Sequence, residues 1–287
     1  MSGASGRAAG REAGGGRAAS PAASPAGRAA SPATASPAEL LAAWDEQQAA
    51  YVADREGRFR IVVELVALAC GEAPLVVDLA CGPGSLSARL LDALPRARVL
   101  GVDHDPLLLD LAAAALDPRH GDRLTLLDAD LAADGWPAAV DDALGGERPD
   151  AIVSTTALHW LAPAQLVAVY AQAAALLRDG GVLLNGDHFR FDGRAPVLRR
   201  LAAAHDAATQ RRAHAAGAPT WEAWWAAARS RPGAAAQAAE RDRRFDGRPA
   251  PPPTAVDFQL AALAQAGFAE VGTAWQLLDD YVVLGVK

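Results

Sequence analysis

Hydrophobic positions begin to repeat only after residue 37, and beyond that point the chain alternates between two periods. Behind Ser36-Pro37-Ala38-Glu39, a helix start with Pro at its first position, Leu40, Leu41 and Trp44 recur at helical spacing. A second helical stretch spans roughly 55–70. Residues 73–80 then carry the apolar run Leu75-Val76-Val77 with a glycine turn behind it, the pattern of a buried parallel strand. Helical and strand periods succeed one another after it: helix 85–94, strand 97–103, helix 106–116, strand 123–130, strand 150–155, helix 163–177 and strand 181–186. Such alternation predicts a parallel sheet covered on both faces. After a short amphipathic helix at 258–266, two β-like runs at 268–278 and 281–286 are separated only by Asp279 and Asp280, so they must pair antiparallel. The predicted fold class is α/β: a doubly wound, mostly parallel seven-stranded sheet closed by an antiparallel C-terminal hairpin. A helical lid insertion spans 191–253, far longer than an ordinary connection.

Residues 1–37 are almost entirely Ala, Gly, Ser, Pro and Arg, with no large apolar side chain after Met1. They cannot offset their ordering entropy and read as a disordered low-complexity tail. Four arginines and a lone Glu12 also match an organelle transit peptide; the solvated tail is the preferred reading. The remainder, 38–287, is expected to be one domain: N-terminal helices at 38–70, a core at 71–190, the lid at 191–253, and the last helix with its hairpin at 254–287.

The chain has 287 residues, half of them hydrophobic, and a formal net charge of -7, which gives no electrostatic reason to expect nucleic acid or an anionic membrane as partner. No apolar run approaches the roughly 20 residues of a membrane span, and the N-terminus lacks a secretory apolar core. Cys70 and Cys81 form neither a disulfide framework nor a metal cluster, so a reducing cytoplasm is expected and no metal.

The stretch VVDLACGPGSLS (76–87) places a glycine loop between a strand and a helix. A phosphate-gripping loop needs Lys followed by Ser or Thr after its last glycine, and none is near. A dinucleotide fingerprint needs a third glycine where Ser87 stands. Asp103 ends the second strand 21 residues after Gly82, where a carboxylate accepts hydrogen bonds from a ribose diol. Asp78, four residues before Gly82, would repel a pyrophosphate but suits a ligand with an ammonium or sulfonium. A plain turn cap is the competing role for Asp78.

These residues resemble the class I, seven-stranded, S-adenosylmethionine-dependent methyltransferases. VVDLACGPGSLS is similar to their first motif, with Asp78, Gly82 and Gly84 in register around Cys81 and Ala80 where a glycine is usual. Alanine at position 80 is tolerated if its φ is negative. GVDHDP resembles the second motif and implies Asp103 as ribose ligand with His104 beside the adenine. LLDADL resembles the third and implies Asp130, followed by Leu131, at the adenine amino group, with Asp128 as the alternative register. STTALHWL (154–161), with Thr155, resembles the fourth, at the rim where cofactor and substrate meet. The resemblance covers about 39–287 and is strongest to small-molecule enzymes of the trans-aconitate methyltransferase-like type. It implies S-adenosyl-L-methionine as cofactor and a small-molecule methyl acceptor at O, N or carboxylate, with the oligomeric state unspecified.

Acceptor contacts are expected from segments able to fold over the C-terminal strand edge. Tyr51, Arg55 and Arg58 stand at helical spacings that put them on one face, where a cation pairs with the cofactor's carboxylate. Trp221, Trp224 and Trp225, at i, i+3 and i+4, form either a packing anchor or, with Trp160, an aromatic pocket wall. The arginines of 242–253 read as solvated. Methyl transfer needs alignment above all; where the acceptor carries a proton, His159 after the fourth strand and Asp187 with His188 after the fifth are the candidate bases. An NAD-dependent oxidoreductase and a catalytically silent cofactor-binding regulator are the competing functional readings.

Overall fold

The structure, a computed structural model, describes residues 35–247 and 251–287; the expected tail therefore lies outside the described residues except at its last three positions. Helix α1 (Pro37–Tyr51) opens with a reciprocal cap: Ser36 Oγ accepts from the Glu39 N–H at 3.2 Å, and the Glu39 carboxylate accepts from the Ser36 N–H at 2.7 Å. Such a cap contributes about 1 kcal/mol. Asp54, at φ 49°, then turns the chain into α2 (Arg55–Cys70). Tyr51 and the two arginines thus belong to different helices, which corrects the single face expected of them; a short polar side chain tolerates this left-handed turn, and periodicity gives no sign of it.

Along the core run β1 (Leu75–Leu79), α3 (Ser85–Ala93), β2 (Arg98–Asp103), α4 (Pro106–His120), β3 (Leu124–Asp128), α5 (Trp136–Ala143), β4 (Ala151–Thr155), α6 (Pro163–Leu176) and β5 (Val182–His188). The insertion forms α7 (Pro196–Ala215), α8 (Trp221–Arg229) and α9 (Ala235–Phe245). Then α10 (Val256–Gln265), β6 (Glu270–Leu277) and β7 (Asp280–Val286) complete the chain. The sheet order is β3-β2-β1-β4-β5-β7-β6, parallel except for β7, which runs antiparallel between β5 and β6. No helix among the described residues is long and apolar enough to cross a membrane.

Alternation along each strand divides the core between two faces. Val77, Leu79, Ile152 and Leu183 join one cluster with Trp136 and Tyr170, while Val76, Val99, Val153 and Leu184 join another with Phe59, Val62 and Val66. Several boundaries depart from the sequence pattern. Helix α4 runs past Pro118 to His120; the proline forgoes only its own bond to the carbonyl four residues back, and two residues of helix follow it. Helix α5 is an addition to the elements the pattern predicts, and β3 stops at Asp128, leaving Asp130 in the loop behind it. Strand β5 continues through His188, because Asp187 and His188 pair with Tyr281 and Asp280 of β7. Both are therefore strand residues, held more rigidly than the loop expected for them.

Candidate functional site

The C-terminal ends of β1–β5 form one edge, where ligands of open α/β sheets bind. On the β1–β2 side, the backbone folds onto Asp103. Its Oδ2 accepts from the Gly82 N–H at 2.7 Å and its Oδ1 from the Asp105 N–H at 2.8 Å. Cys81 is buried, with its N–H donating to the Val102 carbonyl at 3.0 Å. Gly82 and Gly84 take φ of 57° and 84°, and Gly84 caps α3. Ala80 stands at φ 54°, so the negative φ under which alanine would be tolerated without strain is not met: the chain turns into the loop here whether or not the residue is glycine. Ala80→Gly should therefore raise unfolding stability by about 1 kcal/mol, read as a higher urea midpoint at unchanged slope; a lower midpoint would contradict the left-handed assignment.

Asp78 is fully buried. Ser87 Oγ donates to its Oδ2 at 2.6 Å, while Oδ1 has no hydrogen-bond partner. Burial pushes the Asp78 carboxyl up to about 7 and that of Asp103 up to about 6. Two buried carboxyls held at such values favour a cationic ligand beside them, whose charge lowers the cost of ionising them. Ser87, at the position a dinucleotide loop gives to its third glycine, thus supplies a hydroxyl to Asp78 that glycine lacks.

At the β2–β3 ends a cavity of about 530 Å³ is lined by His104, Asp128, Ala129, Asp130, Arg243 and Arg244. His104 Nε2 lies 3.6 Å from Asp130 Oδ2 and its Nδ1 lies 3.7 Å from Asp128 Oδ1, so both registers of the third motif reach the same imidazole. Leu131 is instead buried in the core cluster with Trp136 and Val140, which commits its side chain to packing. Arg244 is not solvated as the pattern suggested: Nη1 donates to Asp128 Oδ1 at 2.7 Å and to the His104 carbonyl at 3.0 Å.

The β4–β5 half carries a second cluster. Arg58 is fully buried and Nη2 donates to Thr156 Oγ1, beside Thr155; Nε and Nη1 lack hydrogen-bond partners, with Nη1 3.7 Å from Asp280 Oδ1. Burial lowers its guanidinium to about 10 despite Asp280 and Asp187. His159, on a short turn after β4, donates its backbone N–H to Asp187 Oδ2 at 3.1 Å, and its Nδ1 lies 2.7 Å from Asp187 Oδ1. Burial opposes charge on both partners, yet His159, His188 and Arg58 hold the Asp187 carboxyl down at about 2, and Asp187 raises His159. His188 Nδ1 lies 2.5 Å from Asp280 Oδ1 without the alignment of a hydrogen bond. The two imidazoles stand 6.1 Å apart, and Trp160, 64% exposed, leans on His159 at 5.1 Å.

The remaining candidates lie elsewhere. Tyr51 meets His214 of α7 edge-on at 6.2 Å, and Arg55 is engaged by Asp45 at 2.7 Å. Trp224 and Trp225 are buried against Trp44, and Trp224 Nε1 donates to the Leu40 carbonyl at 3.0 Å. These two form a packing anchor rather than a pocket wall; Trp221, at the edge of the same cluster, keeps an exposed face. Sequence reasoning missed Thr156, Asp280, Asp105 and Arg244. Only Asp105, directly before Pro106 at a helix start, carried a local signal, as the α4 cap it proves to be.

A family described as "Methyltransferase domain" matches residues 77–183. The trans-aconitate 2-methyltransferase of Azoarcus sp. (strain BH72) is 33% identical over 141 residues, 49% of each chain. That of Methylobacterium radiotolerans is 34% identical over 140 residues, 48% of each. The chain spans about half the length of these curated relatives. Human N-acetylserotonin methyltransferase, solved with S-adenosylmethionine, superposes with a TM-score of 0.52 over 88% of this chain and 56% of its own, at 14% identity. A putative O-methyltransferase from Nostoc punctiforme PCC 73102 gives 0.53 over 88% and 60%, also at 14%. At such identities these two likenesses show a shared fold.

Proposed function

We propose that this chain is a methyltransferase on the class I fold that transfers a methyl group from S-adenosyl-L-methionine to a carboxylate oxygen of a small molecule; the methyltransferase-domain match over residues 77–183 supports the reading. The observation that carries the cofactor reading is the fully buried, unpartnered Asp78 Oδ1 beside the glycine loop. A buried acceptor left unpaired costs about 1–3 kcal/mol, which a ligand ammonium removes. Arg58, whose buried Nε has no hydrogen-bond partner and whose Nη1 has only the Asp280 carboxylate at 3.7 Å, supplies the matching site for a carboxylate. Asp103 takes the ribose diol, Gly82 and Gly84 let the backbone approach, and His104 with Asp130 holds the adenine. Thr155, next to the Arg58 contact, marks where cofactor and acceptor meet.

When bound, the cofactor supplies an electrophilic methyl on a sulfonium. An acceptor oxygen held by these residues would give an electron pair to the new C–O bond while the C–S pair returned to sulfur, leaving a neutral thioether. A carboxylate acceptor loses no proton, so no base is needed; alignment and water exclusion carry the rate. His159, raised by Asp187, then acts as an imidazolium that orients the carboxylate, and Trp160 offers a flat wall. Methylation removes the acceptor's charge, so the ester product is held less tightly than the substrate. The trans-aconitate relatives support this acceptor class, since that compound carries carboxylates.

Incubation with methyl-labelled S-adenosylmethionine, first with trans-aconitate and then with fractionated metabolites, should transfer label to an acid as a base-labile ester. Tight NAD binding with no S-adenosylmethionine binding would overturn the cofactor assignment. Label on a hydroxyl or amine would overturn the acceptor class and return His159 to the role of base. Asp103→Ala should weaken S-adenosylhomocysteine binding about 100-fold by calorimetry, since it removes charge-assisted ribose bonds and the anchor of Gly82 together.

A further inference from the structure

The insertion reads from sequence as a lid over the acceptor, yet α8 and α9 stand on the other half of the sheet. Trp224, Trp225, Ala228, Ala234 and Ala238 share an apolar cluster with Leu107, Leu108 and Leu111 of α4, the helix that begins where β2 ends. Two ion pairs then tie α9 to the strand edge. Arg241 Nε donates to Asp105 Oδ2 at 2.6 Å, while its guanidinium lies 3.8 Å above the Trp225 ring. One turn on, Arg244 Nη1 reaches Asp128 and the His104 carbonyl, and its Nε donates to Glu240 Oε1 at 2.7 Å. Phe245 brings its ring 5.9 Å from that of His104. By contrast, His159, Asp187 and His188 lie on the β4–β5 half.

We propose that Arg244 is a cofactor-binding residue supplied by the insertion: it walls the adenosine end of the site and holds α9 over it. The inference rests on the assignment of the β2–β3 ends to adenosine. A guanidinium is planar, weakly hydrated and always charged, so it can lie flat against a purine while its fork stays bonded to Asp128. Lysine at this position keeps the charge without the plane. The cavity it borders, about 530 Å³, falls in the 300–1,000 Å³ range of small-ligand pockets. Dissociation of an adenosine-containing product would then require the Arg244 wall to open.

The test is calorimetric titration of the full-length protein with S-adenosylhomocysteine and with adenosine alone, for wild type, Arg244→Ala and Arg244→Lys, with thermal melts as a folding control. Both variants should bind both ligands about tenfold more weakly, with S-adenosylhomocysteine dissociating faster. The KM for the methyl donor should rise in step, while that for the acceptor stays within about twofold. Wild-type affinity in either folded variant overturns the proposal, as does a loss confined to the acceptor's KM. A wild-type protein that binds neither ligand overturns the cofactor reading itself, which keeps the two failures apart.

Discussion

Gly84→Ala should destabilise the domain by about 2–5 kcal/mol, a large share of the 5–15 kcal/mol that such domains possess. Two costs add. The backbone at residue 84 lies at φ 84°, a left-handed conformation that costs a side-chain-bearing residue about 1–2 kcal/mol. In addition, an added Cβ would stand 2.5 Å from Leu116 Cδ1 and 3.7 Å from the Ala112 Cβ. Leu116 is fully buried, so it cannot swing into solvent, and overpacking of this kind costs about 1–3 kcal/mol more. Gly82→Ala is the internal control: its φ is 57°, but the nearest atom to its Cβ is 3.9 Å away, so only the backbone cost applies. Urea unfolding should separate the variants by at least about 1 kcal/mol. Equal midpoints would mean that Leu116 yields and that packing is not what reserves position 84 for glycine.

The placement of the residues proposed for the cofactor was legible because it is local. Asp78, Gly82, Gly84 and Asp103 stand at strand ends or in the turn just behind them, so the strand pattern alone puts them at one edge of the sheet. The sign of φ at Ala80 was not legible, since alanine carries no mark of a left-handed turn. Nor was the fate of the arginines: Arg58 bonds to Thr156 across 98 positions and Arg244 to Asp128 across 116, and no periodicity relates such partners. The insertion was legible as helices but not as to which half of the sheet it covers. That depends on Trp224 and Trp225 finding Trp44 and the apolar face of α4, a packing choice made across the whole fold. Likewise Asp280 looked like a turn residue, and only the antiparallel register with β5 carries it beside His188.

Asp187→Asn should cost the most activity, about 100-fold in kcat/KM for the acceptor, with a smaller change in cofactor affinity. Asp187 is fully buried and serves His159, His188 and Arg58 together, and removing one partner of a buried charge pair costs about 3–5 kcal/mol. The pH dependence identifies the mechanism. In the wild type Asp187 raises His159, and if the imidazolium orients a carboxylate, kcat/KM falls as pH rises through the His159 pKa. Asparagine removes the charge, so this falling limb should move to lower pH. An enzyme using neutral His159 as a base would instead show a limb that rises with pH and moves the same way, so the slope distinguishes the two roles. Stability supplies an independent reading. An Asp187 carboxyl held at about 2 against an ordinary 3.8 contributes about 2 kcal/mol at neutral pH, a contribution lost as pH falls from about 4 to 2. Asp187→Asn should flatten that acid limb of the unfolding curve. If the limb persists unchanged, the carboxylate is not the group that His159 and Arg58 hold ionised.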